Sequence, residues 1–291
     1  MAGFVLAGTA AAGPAEDGFA AYLNGDFGKA AQIWRPYAEN GDARAQVFLG
    51  DLFFTGQGVA RDYKQALFWF KLAADKSSAS AQFNLGLAAE MGAGQPRSAT
   101  QALGWYKKAA AAGKVPALLA IARLYRVGGA GVERDPAAAA HWTEQAAKTG
   151  DAQAQDELGA LYRLGQGVTP DLDAARQWHL KAALQGYGPA ENNIAMMYRY
   201  GAGGAVDYER AFGWLHRAAD HGVAAAKYNI AAMYALGLGA ARDPVEAYVW
   251  YVAAANGGDP DVRAQAEKGL SLLKTQMKPT ELAAAERRLA H

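Results

Sequence analysis

Seven tryptophans, Trp34, Trp69, Trp105, Trp142, Trp178, Trp214 and Trp250, are the chain's whole complement, and they follow one another at steps of 35, 36, 37, 36, 36 and 36 residues. A fixed pitch restricts a fold more than any local propensity does, because each unit must bury its apolar face against the next copy of itself. An alanine stands three residues before every tryptophan (Ala31, Ala66, Ala102, Ala139, Ala175, Ala211, Ala247). From Trp69 onward an Ala-Ala pair follows at four and five residues, from Ala73-Ala74 to Ala254-Ala255. The tryptophans therefore read as core residues between helices, with the alanines letting neighbouring helices approach closely.

Within one period the pattern changes character in a regular way. Residues 43–55, "ARAQVFLGDLFFT", put Ala45, Leu49, Leu52 and Phe53 at helical spacing, Gly56 and Gly58 follow, and Asp62 opens a second apolar-periodic stretch through Ala66, Trp69, Phe70 and Ala73. The expectation is helix, tight turn, helix. Asp62, Ser98, Asp135, Asp171, Asp207 and Asp243 lie seven residues before a tryptophan, where a short acceptor caps the free amides of a helix start. Gly56, Gly92, Gly128, Gly165, Gly201 and Gly237 fall just past the first helix, the place of a left-handed terminal residue. "GQGV" at 56–59 and 165–168 has the look of a phosphate cradle, but such a loop follows a strand and occurs once, whereas this one recurs after helices. Ala45, Ala81, Ala117, Ala154, Ala190 and Ala226 share one register of the first helix and mark its packing face.

The apolar residues, 52% of 291, are spread evenly along the chain, as stacked repeats require, and point to no second globular domain. A net charge of +1 lacks the basic excess of a phosphate-binding surface, which sets nucleic acid aside as a partner. With no cysteine there is no disulfide framework and no thiolate metal site. Residues 1–16, "MAGFVLAGTAAAGPAE", are apolar, small and uncharged until Glu16. Their "TAAAGPA" has the character of a signal-peptidase site, so the segment reads as a trimmed signal peptide, or else as a disordered arm. Its apolar run is too short to span a bilayer, and no membrane insertion of the mature chain is expected.

The composite at 41–75, "GDARAQVFLGDLFFTGQGVARDYKQALFWFKLAAD", resembles a Sel-1-like repeat, a longer relative of the tetratricopeptide repeat. The likeness runs from about 40 to 256, with local departures at 92–99, at 128–135 and at Ala89. It implies an all-α fold: a right-handed α/α superhelix, or solenoid, of about seven helix-turn-helix repeats with a C-terminal capping helix. The expected organisation is an arm at 1–16, a partial N-terminal capping repeat at 17–39, six repeats at 40–256 and a C-terminal helical cap at 257–291. Thr280 stands where the last helix would be capped.

No constellation of catalytic groups emerges. His141, His179, His216, His221 and His291 have no acid or nucleophile at a motif-like spacing and read as solvated surface. No catalytic residue, cofactor or metal is assigned. In the related tetratricopeptide architecture the first helix of each repeat lines a concave face. Aligning on Leu49-Gly50 places Phe54, Glu90, Arg126, Arg163, Arg199 and Ala235 in one register there, a ladder of three arginines with Arg123 a turn before it. The candidate partner-binding residues are Phe83, Arg123, Arg126, Asp156, Arg163, Asn192, Met196, Arg199 and Tyr228, apolar anchors mixed with charge as in a protein-contact surface. The expected function is a non-enzymatic protein-interaction scaffold of the bacterial cell envelope, periplasmic or secreted if residues 1–16 are a signal remnant and cytoplasmic otherwise, whose partner carries acidic segments. A module for peptidoglycan or exopolysaccharide is the alternative, to be recognised by exposed aromatics along one groove. A hydrolase would show convergent carboxylates or a histidine with an acid partner. If residues 1–15 are a leader, their deletion will leave the helical content and melting of the remaining chain unchanged in circular dichroism, and loss of stability would show that they pack on the repeats.

Overall fold

In the computed structural model residues 14–290 are described, and they form helices with short connections. The six first helices are α3 (Ala43–Thr55), α5 (Ala79–Met91), α7 (Val115–Val127), α9 (Ala152–Leu164), α11 (Gly188–Tyr200) and α13 (Ala224–Leu236). Their second helices are α4 (Tyr63–Asp75), α6 (Ala99–Ala111), α8 (Pro136–Lys148), α10 (Leu172–Leu184), α12 (Tyr208–Asp220) and α14 (Pro244–Ala255). Helices α1 (Pro14–Leu23) and α2 (Phe27–Glu39) precede them, and α15 (Pro260–Gln276) and α16 (Pro279–Leu289) follow. The chain is thus an all-helical solenoid of consecutive hairpins. It divides into two compact units, the first ending at Asp135 and the second starting at Pro136.

Local chemistry accounts for the boundaries. Asp62 accepts the amides of Lys64 and Gln65 at 2.9 and 3.1 Å, and Ser98, Asp171, Asp207 and Asp243 do the same for their helices. First helices are capped likewise by Asp42, Ser78 and Asp151. Gly165 ends α9 at φ 66°, left-handed as expected. Two residues on, Gly167 (φ 77°) lies so close to the start of α8 that a Cβ there would fall 1.9 Å from the Pro136 carbonyl oxygen. The glycine pair is therefore a helix stop and a point of backbone contact with the preceding second helix. In the loop with one extra residue, Gly129 and Val132 exchange two backbone hydrogen bonds, of 2.8 and 2.9 Å. The last helix departs from expectation: its cap position is Lys278, whose amide donates to the Glu281 carboxylate at 2.8 Å, and Thr280 lies inside the helix.

The packing corrects the role given to the tryptophans. Five of them, from Trp105 to Trp250, are only half-buried. The fully enclosed position is the next residue, occupied by Phe70, Tyr106, Thr143, His179, Leu215 and Tyr251. Trp34 belongs to that inner register, 36 residues before Phe70, which is why the first tryptophan step is 35. Opposite these side chains the first helices place glycine or alanine. A Cβ at Gly50 would meet the Phe70 ring at 2.6 Å, at Gly86 the Tyr106 ring at 2.5 Å, at Gly159 the His179 ring at 2.9 Å, and Gly18 faces Trp34 in the same way. The half-buried indoles instead carry a cation from the next turn: Lys108 over Trp105 at 4.4 Å, Lys181 over Trp178 at 3.9 Å and Arg217 over Trp214 at 4.4 Å.

The six alanines of the first-helix register are all wholly buried, as are Leu49 and Leu158 beside the glycine–ring contacts and Ile194 and Ile230 in the same register. Alanine in place of a mid-helix glycine ordinarily stabilises by about 1 kcal/mol. Overpacking a tight contact costs roughly 1–3 kcal/mol, so at Gly86 it is the larger effect. Gly86→Ala is therefore expected to lower stability in urea denaturation, and to lower it much less when Tyr106→Ala is already present. Additive losses in the double variant would show that the two positions do not compete for space.

Candidate partner-binding face

A ladder of polar contacts runs along the first helices, each reaching from one repeat to the one before. In the first unit the Asn84 amide donates to Asp51 Oδ1 at 2.7 Å, and Arg123 pairs with Glu90 at 2.6 Å. The Tyr106 hydroxyl donates to the same Glu90 carboxylate at 2.9 Å. Burial pushes the Glu90 carboxyl upward, but the hydrogen bonds from Arg123 and Tyr106 and the charges of Arg123 and Arg97 outweigh it and hold it below the usual carboxylate range. Burial and then the Glu90 charge push the Tyr106 hydroxyl up. A cavity of about 280 Å³ opens beside this network, lined by Glu90, Arg97, Arg123, Val127 and the Gly128–Ala130 turn.

In the second unit Asn193 donates to Asp156 at 2.9 Å and Asn229 to Asn192 at 3.1 Å. Asp156 also lies 2.6 Å from Nδ1 of His179, which is 1% exposed. Since a carboxylate only accepts, Nδ1 is the donor in this contact, and the buried Nε2 has no hydrogen-bond partner. His221 approaches Glu191 in the same manner at 2.7 Å, and Arg217 completes an ion pair with that fully buried carboxylate at 3.1 Å. Two of the histidines expected to be plain surface thus have acid partners. The third members of these clusters are Asn193 and Arg217, neither a nucleophile, and His179 is enclosed against Gly159. Among the described residues no group of three or more His, Cys, Asp or Glu could hold a metal ion, and no helix is long and apolar enough to cross a membrane.

The structure disperses the residues singled out from sequence. Phe83 packs on Tyr106 with 5.5 Å between ring centroids, Arg123 is held by Glu90, Asp156 by His179 and Asn193, and Asn192 by Asn229. Met196 is half-buried on α11, and Arg126 and Arg163 stand exposed near the ends of α7 and α9. Arg199 and Tyr228 line one cavity, of about 310 Å³, with Tyr251, Gly269 and Leu272.

A feature that sequence reading passed over lies one residue beyond the arginine register. The last residue of each first helix from α5 onward is large, apolar and exposed: Met91 (63%) and Val127 (70%) in the first unit, Leu164 (52%), Tyr200 (67%) and Leu236 (62%) in the second. Leu272 on α15, 36 residues past Leu236, continues the row at 62%. The signal was present as an apolar residue before each capping glycine from Gly92 to Gly237. In the second unit Arg163 and Arg199 directly precede two members of the row.

With this geometry in view, the family described as Sel1 repeat matches residues 43–78, 79–114, 115–151, 152–187, 188–223 and 224–259. The chain belongs to the Sel1 repeat family. A protective antigen present in uropathogenic Escherichia coli strains, displaying an SLR fold, is similar to it with a TM-score of 0.78 and 30% identity over 94% of this chain. This chain spans only 58% of that antigen's length. A Sel1 repeat protein from Oxalobacter formigenes gives a TM-score of 0.68 at 30% identity, covering 83% of this chain and 96% of its own. A search of curated proteins gives no match. The Sel1 repeat fold is commonly a protein-interaction scaffold, and the family is typically non-enzymatic.

Asp51 yields a pH test of this face. Burial pushes its carboxyl from 3.8 up to about 7, against the opposing pull of Lys114. The folded state therefore binds this proton more tightly than the unfolded chain, and stability contributed by the neutral carboxyl is lost as pH rises through the window from about 4 to about 7. Asp51→Asn is expected to melt higher than the unaltered chain at pH 8, with the difference narrowing toward pH 4. A difference that does not change with pH would overturn this reading of Asp51.

Proposed function

We propose that this protein is a non-enzymatic scaffold that holds a partner protein along the ends of its first helices. The observation that supports it is the row of exposed apolar side chains at the repeat pitch. Leu164, Tyr200, Leu236 and Leu272 are each more than half exposed on one unit, where isolated exposed residues would need no explanation but a periodic row does. Arg163 and Arg199 beside that row suit a partner segment that alternates apolar residues with carboxylates, since a guanidinium pairs with carboxylate through a planar fork. The action we assign is positioning: the scaffold presents a surface and transfers nothing. We place it in the bacterial cell envelope, exported or periplasmic, a placement that rests on the small, apolar character of residues 1–16.

The test pairs Leu164→Asp with Tyr200→Asp in one variant, and Arg163→Ala with Arg199→Ala in another. Because Leu164, Tyr200 and Arg163 are exposed and Arg199 is half-buried, unfolding stability should fall by no more than about 1 kcal/mol. An affinity capture from envelope extract should retain one protein saturably on the unaltered chain and lose it on both variants. Sedimentation of the chain with peptidoglycan, with no protein retained, would overturn the scaffold in favour of glycan binding.

A further inference from the structure

A cavity of about 190 Å³ in the first unit is lined by four aromatic rings and one carboxylate: Phe19 and Tyr22 from α1, Trp34 from α2, and Phe48 and Asp51 from α3. The rings form a connected wall. Centroid separations are 6.2 Å for Phe19–Tyr22, 5.9 Å for Tyr22–Trp34, 4.8 Å for Trp34–Phe48 and 6.0 Å for Phe48–Phe19, so the four close on themselves. Phe48 and Asp51 are three apart on one helix and share a face. Phe19, 37% exposed, stands at the open side, while Trp34 at 1% is within the wall. On its other side Asp51 borders a second cavity, of about 160 Å³, with Phe54, Phe70, Asn84 and Leu87.

We propose that this aromatic cage binds an organic ammonium cation, with Asp51 as its counter-charge. Aromatic faces carry negative potential, and a cage of such rings is selective for alkylated ammonium groups, which shed their hydration readily. Burial favours the neutral form of the Asp51 carboxyl while the site is empty, and a cation held among the rings would draw it into the carboxylate form by pairing with it. Asp51 receives one side-chain hydrogen bond, from the neutral amide of Asn84. Lys114, the cation whose field it feels, directs its own ammonium to the Ser80 hydroxyl at 3.1 Å and the Phe83 ring at 6.0 Å. The pairing charge is thus left for a ligand to supply. A sugar is a poorer fit, because it stacks on a broad flat face, whereas the rings here close around a cavity of about 190 Å³ with neighbours tilted by up to 39°. An anion is repelled by Asp51, and a neutral apolar ligand leaves the carboxylate unpaired. This site stands apart from the exposed row assigned above and does not depend on it.

The cation has two sources, a free small molecule or an alkylated lysine on a protein, and separate probes address them. The full chain is titrated with choline chloride, with Nα-acetyl-Nε-trimethyllysine amide, and with 3,3-dimethylbutanol, the uncharged isostere of choline, followed by calorimetry and tryptophan fluorescence. At least one cation should saturate with a Kd on the order of 1 mM or tighter, and the tighter of the two identifies the source. The isostere should bind at least about tenfold more weakly, as removal of a desolvated cation–π contact worth about 2 kcal/mol requires. Asp51→Asn and Phe19→Ala, checked for unchanged helical content, should each weaken the cation by about tenfold or more. Equal binding of the isostere, undiminished cation binding in both variants, or no saturation by either cation overturns the proposal.

Discussion

The contact on which the rest of this structure depends is a bulky side chain of one helix set directly against a residue without one on the neighbouring helix. Phe70 against Gly50, Tyr106 against Gly86 and His179 against Gly159 leave no room for even a methyl group on the opposing helix. Once that distance is set, the buried alanines and the large aliphatic residues beside them pack at native density without further adjustment. Half-buried Trp105, Trp178 and Trp214, each next to an inner residue, then face outward enough to take a cation over the ring. The exposed row and the aromatic cage both sit on helices whose spacing this contact fixes.

Much of this was legible in the sequence. A period near 36, alternating apolar helices, short acceptors before the second helix and glycines after the first define consecutive hairpins with little ambiguity, and the structure places the caps Asp62, Ser98, Asp171, Asp207 and Asp243 as the pattern requires. What misled was prominence. Tryptophan is the conspicuous residue, yet the inner position tolerates Phe, Tyr, Thr, His or Leu and so shows no single letter to the eye. The 35-residue first step was the clue that Trp34 and Trp69 occupy different registers.

The candidate site was less legible, because its contacts join residues 16 to 37 apart, whose pairing depends on how the helices of one hairpin pack and on how one hairpin docks on the next. Asp156 and His179 share no motif, and neither do Glu191 and His221; each pair exists because two helices bring complementary groups together. Arg123 looked like part of a basic ladder until Glu90, a repeat earlier, was seen to neutralise it. Local spacing reports on one helix at a time, and so it overstated how many of these polar residues are open to a partner.

The bond from Asn193 to Asp156 and the contact of Gly167 with the Pro136 carbonyl share one property: each reaches into the adjoining repeat and no further. A stretch of one period removed from the middle of a unit would bring together helices that share the same buried-alanine register, while a partner such as Asp156 for Asn193 would be lost with its own repeat. Because stability in such a stack is a sum over modules and their nearest-neighbour interfaces, the reach of the molecule is set by copy number, separately from the residues that face its ligands.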